Sequence, residues 1–378
     1  MLLNHARALE FMGRDGVDVL VLTQPNNFLY FSDFTQVNSF SFIDRPAICL
    51  FFADAAIDPV AIIPRWNYEA FVRSSWIEDV VVYAEHAAPG SRAEAGGWRR
   101  ALRTALTDRA VVRTVGVEEK SIPKWIMDEV KAACSDRTVC HCSELIRSIR
   151  AVKTADELGH LRAAAGVLDT ASADMLAAAH TGVTEAELAA AFRASVGRQG
   201  AEGIKNFVLG FGPETVITHK VPGSRRLAQG DLIRFDLGAL VHGYHADNAR
   251  SHVWGTPSAV QERLYASVMK GQTQGEALLR PGVTAGEIYA AAVDGLRQSL
   301  PDARPEHVGH GIGVEHHESP ALIHGDAQAL EPNMLINLET LYHDAEHGAF
   351  AVEDTYLITA DGHERWTHLS RELGLAAA

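Results

Sequence analysis

The sequence predicts an α/β domain over residues 1–148, followed by an α+β domain over residues 149–378 made of two similar halves. Two observations carry this. Residues 1–148 alternate short apolar runs with helix-like stretches, the pattern of a layered α/β domain. Beyond them one helix-opening motif occurs twice. Each copy leads to a hairpin-like pair of strands with one carboxylate on each arm, which marks an internal repeat.

In the first domain a helix around Leu9 precedes a strand from Val17 to Thr23. Gln24-Pro25-Asn26-Asn27 reads as a turn and Phe28-Leu29-Tyr30-Phe31 as a short strand. Strands follow at Ala47–Phe52, Pro59–Pro64, Val80–Tyr83 and Val115–Val117, with helices near Trp66 and Trp98 and a surface loop at Ala88–Ser91. Cys140-His141-Cys142 lies in a strand whose alternation puts both thiols on one face. Buried free thiols explain it better than a metal site.

Thr154 with Glu157 forms a capping box that opens the second domain's first long helix, whose apolar face carries Leu158, Leu161, Ala165, Leu168 and Met175. Gly182-Val183-Thr184-Glu185-Ala186-Glu187-Leu188 then recurs as Gly282-Val283-Thr284-Ala285-Gly286-Glu287-Ile288, each copy with its own capping box. Before the second copy stands an amphipathic helix bearing Val260, Leu264 and Val268. The step from capping Thr to first carboxylate is 52 residues in one copy (184 to 236) and 55 in the other (284 to 339). A pseudo-symmetric domain with its site on the internal axis follows.

The carboxylates are the chemistry. Leu232–Gly238 and Tyr244–Ala249 flank a tight turn at His242-Gly243, which sets Asp236 roughly across from Asp247. Leu335–Leu341 and Phe350–Tyr356 flank a second link, His343–Gly348, with Glu339 and Glu353 on its arms. Like charges opposed across strands are destabilising, so each hairpin expects a cation between its acids; two unrelated solvent-facing acids are the alternative. His310, set among Gly309, Gly311 and Gly313, supplies an imidazole where glycines let the backbone crowd a ligand. Four carboxylates and one histidine suit a pair of hard divalent ions, whereas a structural zinc prefers Cys and His. Mn, Co, Fe and Zn all fit. The implied reaction is hydrolysis by a metal-bound hydroxide.

Composition narrows the rest. Hydrophobic residues make up 47% and charged residues 22%, ordinary for a globular protein. A net charge of −14 without a basic run argues against nucleic acid and anionic membranes as partners. No segment reads as a signal peptide or a bilayer span, and four cysteines make a disulfide framework unattractive, so the cytoplasm is the expected location.

With these residues in view, the second domain resembles the pita-bread family of metallopeptidases, in its prolidase, Xaa-Pro aminopeptidase and creatinase branch. Residues 1–148 resemble that branch's amino-terminal creatinase/prolidase domain, through Pro25-Asn26-Asn27, Tyr30-Phe31-Ser32-Asp33-Phe34 and Arg45-Pro46-Ala47. Ile149-Arg150-Ala151-Val152-Lys153-Thr154, leading to Glu157, matches the family's lead-in to the catalytic domain, and the likeness covers nearly the whole chain. The resemblance implies that Asp236 holds one metal and that His310 and Glu339 hold the other. It makes Asp247 and Glu353 the bridges and lets Glu339 assist deprotonation of the attacking water. It also implies substrate-side roles for His317 and for His219, 17 residues before Asp236; on residues alone His219 is equally a loop position. A homodimer is expected from the same source.

Three positions depart from that pattern. Glu339-Thr340-Leu341 stands where the peptidases have Glu-Pro-Gly, Ala351 stands where they have Arg, and Glu306 stands where they keep a histidine, with His307 one place late. No ligand is lost, so substrate is what changes. The resemblance implies an Xaa-Pro dipeptide or a comparable small amide. Ala351 suggests poor handling of plain dipeptides and points to a non-peptidase specialist such as a creatinase, ectoine hydrolase or dimethylsulfoniopropionate lyase. A non-catalytic scaffold is the third alternative, opposed by retention of all five ligands.

Overall fold

The computed structural model describes residues 1–35, 45–84, 97–107 and 112–375, so the loop expected at Ala88–Ser91 lies outside the described residues. The chain divides into two compact units, Met1–Arg150 and Ala151–Ala378.

The first unit runs α1 (His5–Asp15), β1 (Val19–Leu22), α2 (Pro25–Ser32), β2 (Ile48–Phe52), β3 (Val60–Pro64), α3 (Tyr68–Ser74), β4 (Asp79–Tyr83), α4 (Trp98–Thr107), β5 (Thr114–Val117), α5 (Lys124–Ala133), β6 (Thr138–His141) and α6 (Ser143–Ala151). Its described strands form one mixed sheet in the order β4-β3-β2-β1-β5-β6. Val19, Val21, Ile48, Leu50, Ile62 and Val115 pack with Trp98 and Leu102 of α4 and Ile126 and Val130 of α5, giving the α/β layering that alternation predicts.

Phe28–Phe31 is a correction: it is helix α2, not a strand. A short, wholly apolar run fits a buried helix as well as a strand. The deciding features lie just before it: Pro25 at the first helical position and the Gln24 side chain capping Asn27 N. Buried Glu118, remote in sequence, accepts from Gln24 N at 2.9 Å and Asn27 Nδ2 at 2.6 Å. Cys140 and Cys142 share a face with their Sγ atoms 3.7 Å apart; Cys142 is buried and Cys140 half-buried.

The second unit runs α7 (Ala155–Ala177), α8 (Glu185–Arg198), β7 (Gly203–Phe211), β8 (Leu232–Val241), β9 (Tyr244–Trp254), α9 (Ala259–Glu276), α10 (Ala285–Arg297), β10 (His307–Gly311), β11 (Glu318–Ile323), β12 (Leu335–Asp344) and β13 (Gly348–Ile358). Short strands β14 (His363–Arg365) and β15 (Gly374–Leu375) complete it. The sheet order is β11-β10-β12-β13-β9-β8-β7, with β14 on β13 and β15 on β9. β9 and β13 sit side by side, and each half extends outward from that seam, as the internal repeat requires.

Local detail repeats as well. Thr184 and Thr284 each complete a capping box and an isolated antiparallel bridge, to Arg226 and Ala329. Gly182 N donates to Leu227 O and Gly282 N to Leu330 O, at 2.8 and 2.9 Å. Thr154 and Glu157 form their expected box, and Ser258 with Gln261 adds another at α9. On β8, Phe235, Leu237 and Ala239 join the core with Leu168, Leu188 and Phe192 of α7 and α8. On β12, Ile336 and Leu338 pack with Ile288 and Ala292 of α10. Strand alternation therefore turns Asp236 and Glu339 to the other face.

Candidate active site

Turn geometry sets which acids meet. His242 and Gly243 both have positive φ (52° and 77°), the backbone of a two-residue hairpin turn closed by Val241 and Tyr244. Counting back from that pair, Asp236 lies opposite Ala249 and Asp247 opposite Gly238. The two acids are thus diagonal neighbours on one face rather than facing each other: the turn falls at His242-Gly243 as expected, and a two-residue turn there pairs Asp236 with Ala249, two residues beyond Asp247. In the second hairpin Asp344 pairs with Gly348, and Glu339 falls opposite Glu353. Across the seam Glu353 pairs with Ala249. Asp236, Ala249, Glu353 and Glu339 therefore form one row across four strands, with Asp247 one pleat away.

His310 completes the group. Its Nδ1 donates to Gly311 O at 3.0 Å, which leaves Nε2 as the lone-pair nitrogen. Nε2 lies 3.9 Å from Asp247 Oδ2, 3.9 Å from Glu339 Oε1 and 3.7 Å from Glu353 Oε1. Donor atoms of Asp247, His310 and Glu353 all fall within 4.8 Å of one another. The neighbouring glycines serve a different end from the one expected. A Cβ at Gly309 would lie 2.1 Å from Asn337 O, and one at Gly311 2.3 Å from Ser319 O. They let β10 fit between β11 and β12; it is strand packing that crowds them.

His219 and His317 line the same cavity of about 510 Å³ as the five residues above. His317 stacks on His310 with ring centroids 3.8 Å apart, while His219 is exposed at the rim. Several lining groups escape sequence reading. A register shift after His307 brings its Nδ1 to 3.1 Å from Glu339 Oε1, so the histidine that is one place late in sequence reaches the site in space. His316 Nε2 lies 3.0 Å from Asp247 Oδ2. A bulge at Asn206 (φ 50°) turns its amide onto Asp236, and Asn337 Nδ2 donates to Glu353 Oε1 at 2.8 Å. Ala351 is buried, its N donating to Ser251 Oγ at 2.9 Å. The cavity nonetheless holds a guanidinium, that of Arg234 on β8. The cleft continues into a second hollow of about 530 Å³ that shares Thr218, His307, Glu339 and Leu341.

The electrostatics ask for cations. Burial, with Glu339 close by, pushes Asp236 up to about 7. Burial and the charge of Glu353 raise Asp247, and burial and the charge of Glu339 raise Glu353. Glu339 runs the other way: burial acts to raise it, but the His307 hydrogen bond and nearby imidazoles prevail and lower it. Burial depresses His310 to about 4 and, with neighbouring imidazoles, His316 to about 3, which keeps both neutral, the form in which an imidazole such as that of His310 could bind a metal. Asp247 Oδ1 is buried and makes no hydrogen bond. Oxygen-rich, negatively charged and short of partners, this donor set fits hard divalent ions.

Comparison with known proteins agrees. Residues 159–360 match metallopeptidase family M24, and residues 5–152 match the creatinase/prolidase N-terminal domain. An Xaa-Pro dipeptidase of Pyrococcus horikoshii is 29% identical over 264 residues, 69% of this chain and 75% of that protein. An Xaa-Pro dipeptidase of Lactobacillus delbrueckii subsp. lactis is 25% identical over 391 residues, 98% of each. Among solved structures, the prolidase from Pyrococcus horikoshii OT3 superposes with a TM-score of 0.82 at 25% identity, covering 97% of this chain and 99% of that one. For the Xaa-Pro dipeptidase from Bacillus anthracis the TM-score is 0.83 at 23% identity, covering 98% of each, a likeness of fold. The chain belongs to metallopeptidase family M24, a metal-dependent hydrolase with the pita-bread fold behind a creatinase/prolidase N-terminal domain.

Proposed function

We propose that this enzyme hydrolyses the amide bond of a small Xaa-Pro dipeptide-like substrate, with two divalent ions held by Asp236, Asp247, His310, Glu339 and Glu353. The observation that carries this reading is the row of Asp236, Glu353 and Glu339 across the sheet, with Asp247 and His310 beside it. Bound divalent ions supply Lewis acidity that polarises an amide carbonyl and acidifies water. Asp247 and Glu353, on the two central strands, would serve both ions, Asp236 one of them, and His310 and Glu339 the other. Glu339 is the base that takes a proton from the attacking water, steadied by His307 at 3.1 Å. His317 and His219 donate to the substrate carbonyl or the leaving nitrogen as charge develops there. The donor set accommodates Mn, Co, Fe or Zn. A homodimer is part of the same reading, checked by light scattering at twice the mass of one chain.

Xaa-Pro dipeptides assayed with Mn, Co, Fe and Zn test the substrate. A kcat/KM of about 10⁴ M⁻¹s⁻¹ or more is the expected range for a true substrate. Ala351 favours a second reading, a non-peptide amide of similar size. Turnover of cyclic amides or sulfonium compounds without turnover of any Xaa-Pro dipeptide would establish that reading instead.

A further inference from the structure

Arg234 lies two residues before Asp236 on β8, so its side chain leaves the sheet on the carboxylate face. The residue is 2% exposed, yet it lines the active cavity. A guanidinium brings five N–H donors, and few of these are used. Nη1 donates to Thr215 O at 3.3 Å and Thr218 O at 3.5 Å. Nε is buried and makes no hydrogen bond. Nη2 stands 4.0 Å from Asp236 Oδ2, too far for a hydrogen bond, while the Asn206 amide donates to Asp236 Oδ1.

A buried charged group with idle donors is costly unless something completes it. Asp236 is a poor completion, since the proposed function gives its oxygens to an ion. Four carboxylates neutralise two divalent ions and a metal-bound hydroxide would offset one further positive charge, whereas Arg234 and Lys205, both lining the cavity, bring two. The natural counterpart is a ligand with one negative charge and two oxygens, because a guanidinium fork matches a carboxylate.

We propose that Arg234 anchors the substrate's free carboxylate, making this enzyme selective for amides that end in an acid one residue beyond the bond cleaved. The proposal rests on the amide-hydrolase reading and names the substrate class within it. The sequence leaves the cavity without a guanidinium, because position 351 is alanine. In the fold that charge enters from β8, where Arg234 pairs with the same Ser251 that meets Ala351.

The test uses the metal-loaded full chain as wild type, Arg234→Met and Arg234→Lys. Hydrolysis of an Xaa-Pro dipeptide is compared with that of its carboxamide, and calorimetry compares N-acetylproline with N-acetylprolinamide. Wild type should prefer the acid in both assays by at least about 30-fold, the scale for losing one partner of a buried charged pair. Arg234→Met should bring that preference within about 3-fold, mainly through KM, with metal content unchanged; Arg234→Lys should fall between. Should Arg234→Met fail to fold, Arg234→Lys carries the comparison. An acid preference that survives in the variants overturns the anchor. So does an equal loss on acid and amide together with lost metal, which would make Arg234 a positioning residue for Asp236. Wild-type hydrolysis without acid preference overturns the anchor alone. Acid-selective binding that needs Arg234, without hydrolysis, overturns the amide-hydrolase reading alone. Neither binding nor hydrolysis overturns both.

Discussion

Glu339 and Glu353 are direct cross-strand partners on β12 and β13, two carboxylates in register where sheets ordinarily avoid like charges. Neither is bare: His307 meets Glu339, and Asn337 donates to Glu353. These contacts do not remove the repulsion among four acids in one cavity, and the proposed pair of divalent ions would.

Metal content should follow from this directly. Asp247→Ala and Glu353→Ala should each abolish activity and lower bound metal, because each serves both ions in the proposed site. The thermal signature is sharper. In metal-free protein Glu353→Gln should raise Tm by relieving repulsion, and the rise that metal gives the wild type should vanish. Elemental analysis and melting curves with and without chelator check this, and two ions per chain with near-normal turnover in either alanine variant would remove the assigned ligands.

His219→Ala and His317→Ala should keep their metal and lose kcat, by roughly 10²-fold for a charge-stabilising donor. If either change strips metal, that histidine is a ligand.

Acid sensitivity has a source outside the site. His252 is buried on β9, its Nδ1 donating to Glu372 O at 2.8 Å, and burial holds it down at about 4 against an ordinary 6.5. The unfolded chain takes up this proton near pH 6.5, while the folded chain resists until about pH 4. The neutral histidine's contribution is thus complete above pH 6.5 and is lost as pH falls from 6.5 towards 4. His252→Gln should be less stable than wild type at pH 7.5, with the gap narrowing or reversing at about pH 5. A Tm difference independent of pH would contradict this.

The internal repeat makes a stability prediction. Thr184 and Thr284 occupy equivalent capping boxes on α8 and α10. Replacing either with alanine should cost about 1 kcal/mol, and the two costs should agree. Urea unfolding of the two variants measures both; a cost near zero at one site alone would show that the halves are not energetically equivalent.

Much of this was legible because the signals are local. The capping boxes, the His242-Gly243 turn and the acids on alternating strands each depend on residues close together in the chain. The diagonal of Asp236 and Asp247 follows from the register of the strands around that turn, which pairs 236 with 249. Helix α2 departs from the expected strand because an apolar tetrapeptide has no period to distinguish helix from strand. His307, His316 and Asn206 escape a sequence reading for another reason: bulges, loops and long-range strand pairing bring them to the site, and none of these leaves a periodic trace. Arg234 differs, since its place two residues before Asp236 puts it on the same strand face by alternation alone. His307 stands one place late in sequence, and only the register shift in β10 shows that it reaches Glu339.

If this fold hydrolyses amides through ions held by the five residues, titrating metal into chelated enzyme will restore the activity. Turnover of an Xaa-Pro dipeptide should be absent from the stripped protein. It should rise with added Mn, Co, Fe or Zn, reaching its plateau as bound metal reaches two ions per chain. Undiminished turnover after complete removal of metal would show that the five residues hold no catalytic ion.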